Sequence, residues 1–345
     1  MKLVQFMIGR AGGAENFFIK LARALAERGV EQHLIVNEGA QLTEDARATG
    51  LPLTTLPVSK WFDLRGRLLL RRTLKQQQPD IVMAWMNRAA RRLPRGPWVG
   101  VGRLGGWYPV HNYKSCDWLI GNTPGIVKHI VDDGWPAERA VLITNFGELP
   151  DQPAAERATL EVPPGAFLIM ALGRLDFSKG FDVLIDAMAR LPGHVHLRIA
   201  GRGPVEEDLK RRVAAAGLGE RIRFLGWRTD QAALLKAADL CVFPSREEPL
   251  GNVTLEAWSV GLPVVTTRCE GQAWLVQDGV NGLQADPGDV EGLAAAIRRA
   301  MDDENLRRAI AAAGRETWRQ NYSKQVICDR YLDFFARVQR KPNSL

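Results

Sequence analysis

Short apolar runs alternate with segments of helical periodicity along most of the chain. Near the start, "KLVQFMI" reads as a strand, "GRAGGAE" as a turn, and "NFFIKLARALAERG" as a helix stopped by Gly29, before a second strand in "EQHLIV". This is a βαβ unit. Further strands are predicted in "DIVMAW", "WVGVGRL" and "WLIGN", and "AVLITNF" closes the first half. The alternation restarts with the strand "FLIMALG", the helix "FDVLIDAMARL", the strand "VHLRIAG", the helix "VEEDLKRRVAAAGL" and the strand "IRFLG". It continues through the helix "AALLKAA", the strand "DLCVFP", the helix "NVTLEAWSVG" and the strand "PVVTT". Strands that are apolar throughout and separated by helices predict parallel sheets covered on both faces. The expected fold class is therefore α/β, with two Rossmann-like doubly wound domains facing across a cleft at the carboxyl ends of their strands. Residues 1–150 form the first and 151–323 the second, with the Pro-, Ala- and Glu-rich stretch 151–164 read as a linker. A last helix, "KQVICDRYLDFFARVQR" within 324–345, is expected to cross back onto the first domain.

Length agrees with this division, since 345 residues exceed what one core usually supports. No run of 18 apolar residues occurs and glycine interrupts the N-terminal apolar run, so a cytoplasmic protein is expected. Cys116, Cys241, Cys269 and Cys328 lie far apart, without zinc or disulfide spacing, and read as buried reduced thiols. Charge changes the picture more. Residues 1–150 carry 20 Lys and Arg against 13 Asp and Glu, whereas the remainder is balanced at 26 against 26. Most of the surplus lies between Lys60 and Arg103, where only Asp63 and Asp80 oppose eleven cations, among them Arg88, Arg91, Arg92 and Arg95. "DLRGRLLLRRTLKQQQ" interleaves leucines with Arg65, Arg72 and Lys75. It reads either as a helix packing its leucines on the sheet or as a basic face for anionic lipid or a phosphorylated acceptor. No nucleic-acid motif accompanies the charge, and nucleic acid is not expected as a partner.

The most informative stretch is "REEPLGNVTLEAW", residues 246–258. Pro249, Leu250 and Gly251 form a loop, and the run from Val253 begins a helix with Asn252 near its cap. Backbone N–H groups of Gly251, Asn252 and Val253 at a positive helix end suit a phosphate. Glu248 and Glu256 suit neutral hydroxyls on either side of it, because a carboxylate accepts well from a diol and repels a diphosphate. The layout matches a nucleotide sugar, or else two solvated acids and a cap. "GRLDFSKG" adds Arg174 and Lys179 in the first βα turn of the second domain, where phosphates are usually held. Gly12 and Gly13 occupy the equivalent turn of the first domain. Gly201 and Gly203 follow another strand, but no third glycine completes a dinucleotide fingerprint, which disfavours a nicotinamide cofactor.

Together these segments resemble glycosyltransferase family 4, the retaining enzymes of GT-B fold, including bacterial lipopolysaccharide-core and lipid-linked glycan glycosyltransferases. The resemblance is carried by "LGRLDFSKGFDVLIDA", "IAGRGP", "FLGW", "DLCVFPSREEPLGNVTLEAWSVGLPVV" and "DGVNGL", in order, and in the first domain by "GGAENFFIKLARAL" and "NFG". It implies that Glu256 binds the ribose diol and Glu248 the donor sugar, while Arg174 and Lys179 neutralise the leaving diphosphate. Gly251, Asn252 and Val253 would donate to the phosphates, Leu250 and Gly201 would line the donor, and Trp227 and Arg228 would flank the base. Gly12 and Gly13 would close over the donor.

It further implies transfer of a hexose-type sugar from a nucleoside diphosphate to a hydroxyl of a glycan or glycolipid, with no cofactor and no metal. UDP is expected ahead of GDP and ADP. The first domain would hold the acceptor and the second the donor, at the cytoplasmic face of the inner membrane. Family members carry a His after the fourth or fifth strand of the first domain, and here Arg103-Leu104-Gly105 stands in its place. His111 or Arg103 is left as the candidate near sugar or acceptor, and Trp61, Trp107, Tyr108 and Trp135 as aromatic ones. A nucleotide-sugar epimerase or hydrolase, and a non-catalytic nucleotide-sugar or membrane-binding module, remain as alternatives.

Overall fold

The computed structural model describes residues 1–9, 12–39, 41–57 and 64–339. They form two compact units. Strands β1 (Lys2–Met7), β2 (Glu31–Asn37), β3 (Leu53–Leu56), β4 (Ile81–Trp85), β5 (Val99–Leu104), β6 (Trp118–Gly121) and β7 (Ala140–Leu142) make the first sheet. It is parallel, in the order β3-β2-β1-β4-β5-β6-β7. The second sheet contains β8 (Phe167–Leu172), β9 (Val195–Ala200), β10 (Ile222–Gly226), β11 (Leu240–Phe243), β12 (Val264–Thr267) and β13 (Leu283–Ala285). It is parallel as well, in the order β10-β9-β8-β11-β12-β13. Both are Rossmann-like, with helices between successive strands. Strand order reverses between β1 and β4 in one sheet and between β8 and β11 in the other. Those two switch points are where such folds open a crevice at their strand ends.

Strand periodicity sorts the second core into two layers. Ile169, Ile199, Val242 and Val265 face one side with Leu184 and Ile297, while Leu168, Met170, Cys241 and Val264 face the other with Leu235, Leu255 and Trp258. Each fully buried Leu, Ile or Val contributes about 1.5–3 kcal/mol, so burial on both faces is what makes these strands read as unbroken apolar runs. The strands the pattern did not disclose, β3 "LTTL" and β13 "LQA", lie at sheet edges, are short and carry polar residues.

The stretch 151–164 is not a free linker. Leu160 and Val162 are buried in the second core, and the Arg157 guanidinium donates to the carbonyls of Ala237 (2.9 Å) and Ala166 (3.2 Å) and pairs with Asp239 at 2.8 Å. The second unit accordingly begins at Phe146 and runs to Ser323.

The helix Lys324–Val338 belongs to the first unit, and one buried cation fastens it there. Arg103, at the end of β5, is 1 % exposed. Its guanidinium carbon lies 4.5 Å from the Trp85 ring centroid and 4.9 Å from that of Phe17. Nε donates to the Tyr331 hydroxyl at 2.9 Å and Nη2 donates to Asn145 Oδ1. Burial pushes the Tyr331 hydroxyl above its ordinary pKa, against the opposing influence of Arg103. No carboxylate pairs with Arg103 among the described residues; aromatic faces and neutral acceptors hold its charge. The expectation that Arg103 meets sugar or acceptor is thereby corrected, since the group is enclosed by protein. Tyr331→Phe should lower the first unit's stability by about 1–3 kcal/mol, measured by urea unfolding, because a buried donor loses its acceptor.

Candidate active site

The segments that follow β8 and β11 meet at the switch point of the second sheet. After β8 the chain runs through Gly173, Arg174 and the short turn Phe177–Lys179 to Gly180, which starts the helix Phe181–Met188. Gly180 has φ 65°, and a Cβ there would strike the Pro244 carbonyl of the β11 loop. That close approach is reinforced by backbone bonds from Arg246 N (2.7 Å) and Glu247 N (3.2 Å) to the Ser178 carbonyl. Arg246 also donates twice to Asp182, at 2.7 Å each, with its guanidinium over the Phe177 ring. Burial works against the Asp182 charge, but Arg246 together with the backbone N–H groups of Asp182 and Val183 outweighs it and holds the carboxyl below its ordinary pKa.

This packing brings Lys179 and Glu248 together. Lys179 Nζ donates to Glu248 Oε2, with the two side chains 20 % and 14 % exposed, and the ammonium lies 5.5 Å from the Phe243 ring centroid. Arg174 is exposed, 3.6 Å from Asp176. Beyond Glu248 the chain turns at Gly251, φ 88°, into the helix Asn252–Ser259. Asn252 is the first helical residue rather than the cap: Gly251 holds that position, and no side chain caps the helix. Glu256, 8 % exposed, lies on this helix. Its charge, second to burial itself, pushes the Cys241 thiol up to about 12.

Sequence reasoning missed the residue that braces this loop. Gln272, fully buried, accepts from Thr254 Oγ1 (2.6 Å) through its carbonyl and donates to the Leu250 carbonyl (2.9 Å). Nothing in its local sequence marks it, because its partners lie 18 and 22 residues away. Leu250 is buried, so a ligand would meet its backbone at most. Gly201 abuts the Gly173 carbonyl, where a side chain would clash. Trp227 is exposed, and Arg228 forms a bidentate pair with Asp230 (2.8 and 2.6 Å).

In the first unit, Gly12 and Gly13 begin the helix Gly13–Glu27, with the Glu15 carboxylate folded back towards Gly9 and Gly12. Arg10 and Ala11 of this turn lie outside the described residues, as do Lys60, Trp61 and Asp63. Of the three residues standing in place of the family histidine, Arg103 and Leu104 are buried within β5, and Gly105 is the first beyond it, next to Met86 and Asn122. His111 is exposed on the turn Val110–Tyr113. All four cysteines are buried and each thiol is raised by burial, the opposite of the shift a reactive thiolate needs. Among the described residues no group of three His, Cys, Asp or Glu could hold a metal.

In the helix Leu64–Gln77, Leu70 and Leu74 are buried, while Leu64 and Leu68 are 65 % and 60 % exposed. Arg65, Arg67, Arg71, Arg72 and Lys75 are exposed around them, and none forms an ion pair among the described residues. At 100° per residue these seven side chains fall within an arc of about 160°. No helix of the described residues is long and apolar enough to cross a membrane.

Residues 154–317 match the family model described as glycosyl transferases group 1, and residues 11–146 match glycosyltransferase family 4. The chain belongs to the family 4 glycosyltransferases. The lipopolysaccharide core biosynthesis glycosyltransferases LpsE and LpsD of Rhizobium meliloti are 40 % and 37 % identical to it, across 97 % and 98 % of this chain and 99 % and 98 % of theirs. Among solved structures, Anabaena HepE in complex with UDP and glucose superposes with TM-score 0.85 at 22 % identity, covering 98 % of this chain and all of that one. The outer-core galactosyltransferase WaaB gives 0.74 at 17 %, with the same coverage. The fold is GT-B and the protein is a glycosyltransferase of the lipopolysaccharide-core type. Gly180→Ala should destabilise the second unit by about 1–3 kcal/mol in thermal or urea unfolding, since its φ and the Pro244 carbonyl both oppose a side chain.

Proposed function

We propose that this glycosyltransferase moves a hexose-type sugar from UDP to a hydroxyl of a lipopolysaccharide-core glycan, with retention of configuration and without a metal ion. The observation that carries the reading is the convergence of Lys179, Glu248 and the uncapped start of the helix Asn252–Ser259 at the carboxyl ends of adjacent strands β8 and β11. Lys179 and Arg174 are the cations for the diphosphate, and backbone N–H groups at the helix start, with the positive end of its dipole, add to them. Glu256 accepts from the ribose diol and Glu248 from sugar hydroxyls. The acceptor oxygen attacks the anomeric carbon on the face from which the phosphate leaves, and the departing phosphate takes the hydroxyl proton, so no side-chain nucleophile is needed. UDP is favoured because structures of the similar HepE contain UDP, alone or with glucose, and UDP-glucose.

The acceptor is assigned to the first unit, whose switch point between β1 and β4 carries Gly12 and Gly13 on one side and Met86 on the other. The exposed face of Leu64–Gln77 supports an anionic membrane surface as the place of work: two leucines to insert and five cations for phosphate headgroups.

Calorimetric titration with UDP, GDP and ADP, each with EDTA or Mg²⁺, tests the donor site. UDP should bind equally with and without the metal, and Glu256→Ala should weaken it by roughly 10–100-fold through loss of charged hydrogen bonds. Binding that requires Mg²⁺, or survives the substitution, would overturn the assignment. On the acceptor side, the Leu64→Ser, Leu68→Ser double variant should sediment less with phosphatidylglycerol vesicles and keep wild-type nucleotide affinity. Wild-type protein that stays in the supernatant would remove the membrane from the proposal.

A further inference from the structure

Two groups assigned to different parts of the donor are each other's partners in this structure. Lys179, the cation for the diphosphate, is bound to Glu248, the acceptor for the sugar hydroxyls. The pair is largely shielded from solvent beside the Phe243 ring, so salt screens it weakly. The main chain bearing Glu248 is fixed, because its backbone carbonyl accepts from Gly271 N at 3.0 Å, Glu247 N donates to the Ser178 carbonyl and Gln272 donates to the carbonyl of Leu250, two residues on.

We infer that Glu248 makes the site discriminate between a nucleotide sugar and the bare nucleotide. The inference rests on the donor-site reading above. A diphosphate that engages Lys179 competes with Glu248 for the ammonium and weakens the neutralisation of a partly buried carboxylate that then lies near a second anion. A donor carrying a sugar offsets that loss, since its hydroxyls become the new hydrogen-bond partners of Glu248. A bare nucleoside diphosphate brings none. After transfer the sugar departs with the acceptor, so the same carboxylate disfavours the product that remains and speeds its release.

Glu248→Gln keeps the shape and removes the charge, freeing Lys179 for phosphate. UDP should then bind roughly tenfold more tightly than to the wild type, the scale of a modest electrostatic term rather than of a full buried charge pair. UDP-glucose should show no such gain, because the amide is the weaker acceptor for hydroxyls. Calorimetry of both ligands against wild type, Glu248→Gln, Glu248→Ala and Lys179→Met reads this without requiring turnover. In Lys179→Met, UDP should bind more weakly than to the wild type. UDP affinity unchanged or reduced in both Glu248 variants overturns the inference while leaving the donor site standing, and so does an equal gain for both ligands. If UDP does not bind the wild type at all, the donor-site reading itself falls and this inference with it.

Discussion

The contact between the turn after β8 and the loop after β11 is the constraint on which the candidate site depends. Gly180 lets the turn lie directly on the Pro244 carbonyl, and Arg246 ties the loop to Asp182 and Phe177 across the same gap. A side chain at Gly180 would separate the two segments, and with them Lys179 and Glu248. The chemistry of the site thus rests on a residue that has no functional group. Gln272 plays the matching part on the other side of the loop, joining the Leu250 carbonyl to Thr254 so that the helix bearing Glu256 starts where it does.

Parallel topology explains why these segments are neighbours at all. Strands β8 and β11 are separated by about seventy residues yet lie side by side, because the second sheet grows outwards in both directions from β8. Loops that leave two such strands at their carboxyl ends diverge to opposite faces and open a crevice. The same reversal occurs between β1 and β4 of the first unit, where the glycine turn lies.

Positive charge serves two different ends in the first unit. Arg103 is enclosed, held by Trp85, Phe17, Tyr331 and Asn145, and fastens the C-terminal helix to the sheet. The cations of Leu64–Gln77 are exposed and share one side of their helix with two unburied leucines. Charge counting groups them in one basic stretch. Burial separates a structural bolt from a surface able to meet anions.

Hydrophobic period and glycine placement determined, from sequence alone, that the chain builds two parallel α/β sheets. The loop "REEPLGNVTLEAW" likewise marked the candidate site, because a glycine turn, a helix start and two spaced acids are local features. The edge strands β3 and β13 escaped notice because partial exposure dilutes the apolar signal that buried strands carry. Only the tertiary structure decided that 151–164 folds onto the second unit, that Arg103 is buried, that Gln272 braces the loop, and that Lys179 holds Glu248. Each of those depends on partners distant in sequence. Local patterning records which residues want to be buried or to turn, but not which remote backbone or side chain they will meet.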